Sequence, residues 1–147
     1  MTLSKTREVF CVACQKPVNA RYTTGVEIYP KRPDLARLNF WKCDMCKNYV
    51  GTHKNRKSSA EYPLRPLGTI PTPEVKMART QIHDFLDPIW KEKLATRGQV
   101  YRHLSYRLGY AYHSAEVNSI EEAERIIKYL VKLKQSLKAG EVIKYED

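Results

Sequence analysis

Cys11-Val12-Ala13-Cys14 and Cys43-Asp44-Met45-Cys46 are the two stretches that decide the fold. Each delivers two sulfurs from one tight turn, and zinc asks for four soft or borderline ligands in a tetrahedron. Together they hold all four cysteines of the chain. In a reducing compartment such paired spacing points to metal more than to disulfides. The 28 residues between Cys14 and Cys43 leave room for a hairpin and a loop. The pairs therefore predict a zinc ribbon in which Cys11, Cys14, Cys43 and Cys46 hold one structural Zn²⁺. A closed four-cysteine shell keeps no open coordination position, which argues against catalysis at the metal.

Outward from the cysteines, Val18, Ala20 and Tyr22 alternate in the strand manner, with Val26 and Ile28 beyond a Thr23-Thr24-Gly25 turn. This predicts a hairpin. A polar loop, Pro30-Lys31-Arg32-Pro33-Asp34, precedes an expected strand over residues 37–42, and Tyr49-Val50-Gly51-Thr52 is the expected returning strand. Residues 53–73 carry prolines at 63, 66, 71 and 73, so they read as extended and irregular, and the module boundary falls there.

From Thr72 the period becomes helical. Val75, Ala78, Ile82, Phe85, Leu86 and Ile89 share one face, Thr72 suits the N-cap and Pro73 the first helical position. Pro88 is expected to break or kink this helix, with Asp87-Pro88 opening a short one through Leu94. Thr96-x-x-Gln99 is a capping-box pattern for a helix that buries Val100, Leu104 and Leu108 and stops at Gly109. Ser119-x-x-Glu122 opens the last helix, with Ile120, Ala123, Ile127, Leu130, Val131 and Leu137 as its apolar stripe.

The formal charge of +10 is uneven. Residues 1–72 carry 13 Lys and Arg against 5 Asp and Glu, a net +8, while residues 73–147 carry 13 against 11, a net +2. Four thiolates with one Zn²⁺ lower the first figure by two, so the excess stays on the cysteine half. Such a field attracts polyanions. Neither a signal peptide nor a bilayer-length apolar run is evident, which predicts a cytoplasmic protein with no membrane partner.

Lys54-Asn55-Arg56-Lys57, after the second cysteine pair, suits phosphate contact, joined by Lys31, Arg32 and Lys47. Tyr22, Tyr29, Tyr49 and Tyr62 are candidates for stacking on unpaired bases. The bland alternative is a solvated charged loop beside tyrosines that pack on the ribbon. His83, His103 and His113 with Asp84 and Asp87 raise a nuclease hypothesis. Neighbours on a helix such as His83 and Asp84 diverge, however, and no metal-hydrolase spacing is present. Tyr101, Tyr106, Tyr110 and Tyr112 read as core and interface aromatics. The last two helices do not form a helix-turn-helix, because residues 109–119 are too long a connection.

With these residues laid out, the chain resembles a zinc-finger-containing protein family of bacteriophages, prophages and bacteria. The matching pieces are the two Cys-x-x-Cys pairs, Tyr49-Val50-Gly51-Thr52-His53, Pro66-Leu67-Gly68-Thr69, Arg79-x-x-x-His83-x-x-Leu86-Asp87-Pro88-Ile89-Trp90 and Tyr101-x-x-Leu104-x-x-x-Leu108-Gly109. They span roughly residues 9–109. The resemblance implies zinc at the four cysteines and a phage-related origin, and it carries over no reaction. It also implies that Asp87 caps a helix, that Trp90 packs, and that Arg79 with His83 holds the helix onto the ribbon. Phage proteins of this size often bind a host protein, so an inhibitor or adaptor role is a further expectation.

The expected architecture is α+β: a zinc ribbon over residues 1–53, a basic Pro-rich connector over 54–72, and three to four helices over 73–147 packed on the ribbon. The leading function is a non-catalytic zinc-ribbon protein that binds DNA or RNA. The alternatives are a phage-type protein that modulates a host protein, and a metal-dependent nuclease. Oligomeric state is open.

Overall fold

The computed structural model describes residues 5–53 and 65–143. It divides the chain into two compact units, Met1–Pro73 and Glu74–Asp147.

In the first unit, β1 (Thr6–Cys11), β2 (Lys16–Thr24), β3 (Asn39–Lys42) and β4 (Tyr49–Gly51) form one antiparallel sheet in the order β1-β2-β3-β4. Cys11 pairs with Lys16 and Lys42 with Tyr49. Each cysteine pair is thus the turn of its own hairpin, so the sheet carries both metal-binding turns. Val18 to Tyr22 lie in a strand as expected, but their hairpin partner is β1. Val26 and Ile28 do not form the returning strand. Gly25–Ile28 instead make a single helical turn, α1, and Val26 is exposed. Gly25 sits so close to the Leu35 carbonyl that a Cβ would lie 1.7 Å from its oxygen. The Gly25 N–H donates to the Leu38 carbonyl at 2.9 Å. The turn also brings Glu27 back over Arg21 and Lys42, an attraction that hydrophobic alternation does not encode.

Residues 65–71, which the sequence suggests as connector, are stitched to the ribbon. Ile70 donates to Phe10 and accepts from the Val12 N–H, while Leu67 donates to Gly51 and His53 to Arg65. Ile70 is fully buried with Val9, Ala20, Trp41, Val50, Cys11 and Cys43. Phe40 and Tyr49 meet edge to face at 5.5 Å, with Tyr29 contacting both.

The second unit is built on α2 (Pro73–Lys91), α3 (Arg97–Leu108) and α4 (Ile120–Lys138). Val75, Ala78, Ile82, Leu86 and Ile89 form the buried stripe of α2, while Phe85, expected on that face, is 42 % exposed. Pro88 does not end the helix. It removes the N–H that would bond to the Asp84 carbonyl, yet α2 runs on through it to Lys91. The helix ends where Lys93 turns left-handed at φ 61°. Leu94 then donates to Ile89 at 3.0 Å and Lys93 to Trp90 at 3.1 Å, a Schellman closure without glycine.

On α3 both halves of the Thr96–Gln99 capping box form, and Gly109 closes the helix at φ 82°. On α4, Ser119 accepts from the Glu122 N–H, but the Glu122 carboxylate reaches one residue further back, to the Asn118 N–H. The buried stripe is Ala123, Ile126, Leu130 and Leu133, whereas Ile120 and Val131 face outward. Asp87 caps nothing. It lies inside α2, accepts from the Trp90 indole at 3.1 Å and meets the His83 Nδ1 at 3.2 Å. Arg79 donates from Nε to the Val117 carbonyl at 2.8 Å, a bond within the helical unit, and burial pulls its pKa down to about 10. Trp90 packs against the helical core as expected.

Candidate metal centre and basic surface

The four cysteine sulfurs lie within 4.8 Å of one another. Cys11 Sγ is 3.4 Å from Cys46 Sγ, and Cys14 Sγ is 3.8 Å from Cys43 Sγ. A tetrahedron with Zn–S bonds of about 2.3 Å has sulfur–sulfur edges of about 3.8 Å, so the donor set fits zinc. It does not fit disulfides, whose sulfurs stand about 2.05 Å apart. Among the described residues these cysteines are the one group of His, Cys, Asp or Glu arranged to hold a metal. The site is for one structural zinc, which when bound ties the two hairpin turns together.

The turns are built alike. In each, the first cysteine is buried and the second half-buried. The residue after the second cysteine is left-handed in both, Gln15 at φ 55° and Lys47 at φ 70°. That twist folds Gln15 N–H back to the Val12 carbonyl and Lys47 N–H to the Cys43 carbonyl, at 3.3 and 2.7 Å.

Burial pushes the Cys11 thiol up to about 12, and burial followed by Cys43 raises Cys14. For Cys43 burial is outweighed by the backbone N–H of Cys46 together with other donors, and its pKa falls. Burial thus opposes ionisation of Cys11 and Cys14, a cost that a bound cation would offset. Asn48 adds a donor that sequence reading misses, its amide Nδ2 reaching Cys46 Sγ at 3.3 Å. Such groups orient metal ligands. No motif announces Asn48; its position two residues past a ligand is the only signal.

The predicted phosphate contacts fare differently from one another. Lys31 is exposed on the loop after α1. Arg32 is exposed too, but pairs with Asp34 through two bonds of 2.9 and 2.7 Å. Lys47 is exposed on the second cysteine turn. Lys54, Arg56 and Lys57 lie outside the described residues, as does Tyr62. Arg21 bridges Glu27 and Asp44, and Lys42 also holds Glu27 at 2.7 Å. Arg21, then Lys42 and Thr23, hold the Glu27 carboxyl far below the usual carboxylate range. Lys16, Arg37 and Arg65, which the sequence reading passed over, are exposed and have no carboxylate within ion-pair distance among the described residues. Tyr22, Tyr29 and Tyr49 are half-buried and engaged with Trp41, Phe40 and one another.

The histidines do not converge. His83 meets Asp87, His103 is buried in α3 and His113 is exposed in the α3–α4 connection. No helix among the described residues is long and apolar enough to cross a membrane.

A four-stranded sheet with a cysteine pair at each hairpin turn defines a zinc-ribbon protein. Residues 7–136 match the family described as a zinc-finger-containing domain, and the chain belongs to that family. No curated protein and no solved structure matches the chain.

Proposed function

We propose that the chain is a non-catalytic nucleic-acid-binding protein of phage or prophage origin that grips phosphate backbones with its zinc ribbon. The observation that carries this reading is how the ribbon's charges are used. Glu27, Asp34 and Asp44 are each tied up by Arg21, Lys42 or Arg32. Lys16, Lys31, Arg37, Lys47 and Arg65 stay exposed around a half of the chain whose formal charge is +8. Exposed cations on a small rigid scaffold bind polyanions without base selection. The half-buried tyrosines support backbone contact more than stacking on single strands.

The test is binding to duplex and single-stranded DNA and to RNA across a salt series. Two triple variants accompany the wild type: Lys54→Ala with Arg56→Ala and Lys57→Ala, and Lys31→Ala with Arg37→Ala and Lys47→Ala. Each set should weaken binding on all sequences alike and lower the slope of log affinity against log salt by roughly two to three units. No wild-type binding at low salt would refute the proposal.

A second reading, a protein that binds and modulates a host protein through its helices, is favoured by one surface. Phe85, Pro88, Leu130 and Val131 line a largely apolar cavity of about 420 Å³ between α2 and α4. Patches of this kind mark interaction sites. A pull-down from host lysate that is lost with Phe85→Glu would favour it over the first.

A further inference from the structure

A second cavity, of about 270 Å³, lies between α3 and α4. His103 and Arg107, one turn apart on α3, line one side, and Tyr129, Lys132 and Ser136, spaced by three and four on α4, line the other. Helical spacing places each set on one face of its helix. His103 is only 6 % exposed. Arg107 rests over the Tyr106 ring at 5.9 Å. Neither Arg107 nor Lys132 has a carboxylate within ion-pair distance among the described residues, and the Tyr129 and Ser136 hydroxyls find no partner there either. Glu141 is the one acidic group among the described residues of the lining, and Leu133, Val142 and Ile143 complete it.

Among the described side chains donors therefore outnumber acceptors around this recess, and two of them, Arg107 and Lys132, are cationic side chains. We propose that it is a binding site for a small phosphate-bearing molecule. A phosphate offers several oxygens to a cluster of donors, and the planar fork of an arginine matches two of them at once. The volume falls just under the range usual for drug-sized ligands, which suits a sugar phosphate or pyrophosphate rather than a larger cofactor. Glu141 sets an opposing field, so the site should hold its ligand more tightly when that charge is removed.

The zinc-loaded full chain is titrated with inorganic phosphate, pyrophosphate and ribose 5-phosphate while amide and side-chain resonances are followed by NMR. Saturable shifts centred on His103, Tyr129 and Ser136 are expected. Arg107→Gln with Lys132→Gln should weaken the binding at least about tenfold, as loss of charge-assisted bonds does. Arg107→Lys, which keeps the charge and loses the fork, should fall between. Glu141→Gln should tighten it by roughly twofold to threefold. No saturable shift by about 10 mM of any probe, well above a millimolar dissociation constant, overturns the proposal. So does an affinity that the paired glutamine substitutions leave unchanged while the helices stay folded. A parallel titration with duplex DNA separates the sources of phosphate. Shifts at these residues from duplex but not from pyrophosphate would hand the site to a nucleic-acid backbone and overturn the small-molecule assignment.

Discussion

The ribbon and the helical unit have similar lengths and solve the same problem by different means. The helical unit buries a continuous apolar cluster in which Ile82, Leu86, Ile89, Val100, Leu104, Ile126 and Leu130 are fully enclosed. The ribbon's cluster is smaller, and two of its buried members, Cys11 and Cys43, are metal ligands. A short sheet with one small core is marginal by area alone. The difference teaches that the same chain length is stabilised by apolar burial in one half and by coordination in the other.

The largest expected effect comes from taking the metal away. A strong chelator should collapse the amide resonances of β1 to β4 and leave those of α2, α3 and α4 dispersed, because structural zinc contributes about 10–16 kcal/mol in small domains. Purified protein should contain one zinc per chain. Collapse of both sets together would show that the helices need the ribbon and would break the comparison. The reverse perturbation is Leu104→Ala. It leaves a cavity in the helical core and should lower that unit's stability by about 2–5 kcal/mol with zinc content unchanged. Zinc loss on this substitution would count against independent cores.

These two halves were not equally legible in the sequence. The zinc ligands were readable because coordination chemistry fixes residue type and spacing together. The α3 boundaries were readable because Thr96, Gln99 and Gly109 act through local backbone bonds. The strand expected at Val26 and Ile28 was misplaced because Gly25 is governed by Leu35 and Leu38, ten and more residues away. The role of residues 65–71 was hidden for a similar reason, since Ile70 bonds to β1 some sixty residues earlier. Pro88 misled because it costs the helix one hydrogen bond while Leu86 and Ile89 on either side stay buried, and α2 continues through it. The basic surface was legible as charge but not as pairing. Arg32 spends its fork on Asp34, while Lys16 and Arg37 stay unpaired among the described residues.

A smaller effect sharpens the comparison inside the ribbon. Glu27→Gln removes the charge that joins Arg21 and Lys42, at a site about a third exposed and therefore screened. The loss at neutral pH should be roughly 0.5–1 kcal/mol. The folded carboxyl titrates below its ordinary value of 4.5, so its contribution is fully present above that pH and is lost as pH falls through the folded pKa. Stability measured against denaturant at saturating zinc should show the wild type and variant converging only below about pH 4.5. A gap that persists unchanged in acid would assign the effect to packing rather than charge.

The smallest effect concerns Lys47, where the ribbon's geometry and its proposed function meet. The residue is held at φ 70°, a conformation that burdens any side chain with a Cβ by about 1 kcal/mol. It is also an exposed cation on the second cysteine turn. Lys47→Gly and Lys47→Ala remove the same charge but differ in backbone freedom. Both should lower the salt slope of nucleic-acid binding by about one unit. Only the glycine variant should relieve the turn, leaving it up to about 1 kcal/mol more stable than the alanine variant. Gln15→Gly, at the matching position of the first turn, should stabilise in the same way without touching the salt slope. Equal stability of the glycine and alanine variants would mean that the left-handed turn carries no strain. An unchanged slope in both would remove Lys47 from the contact surface while leaving the turn argument intact.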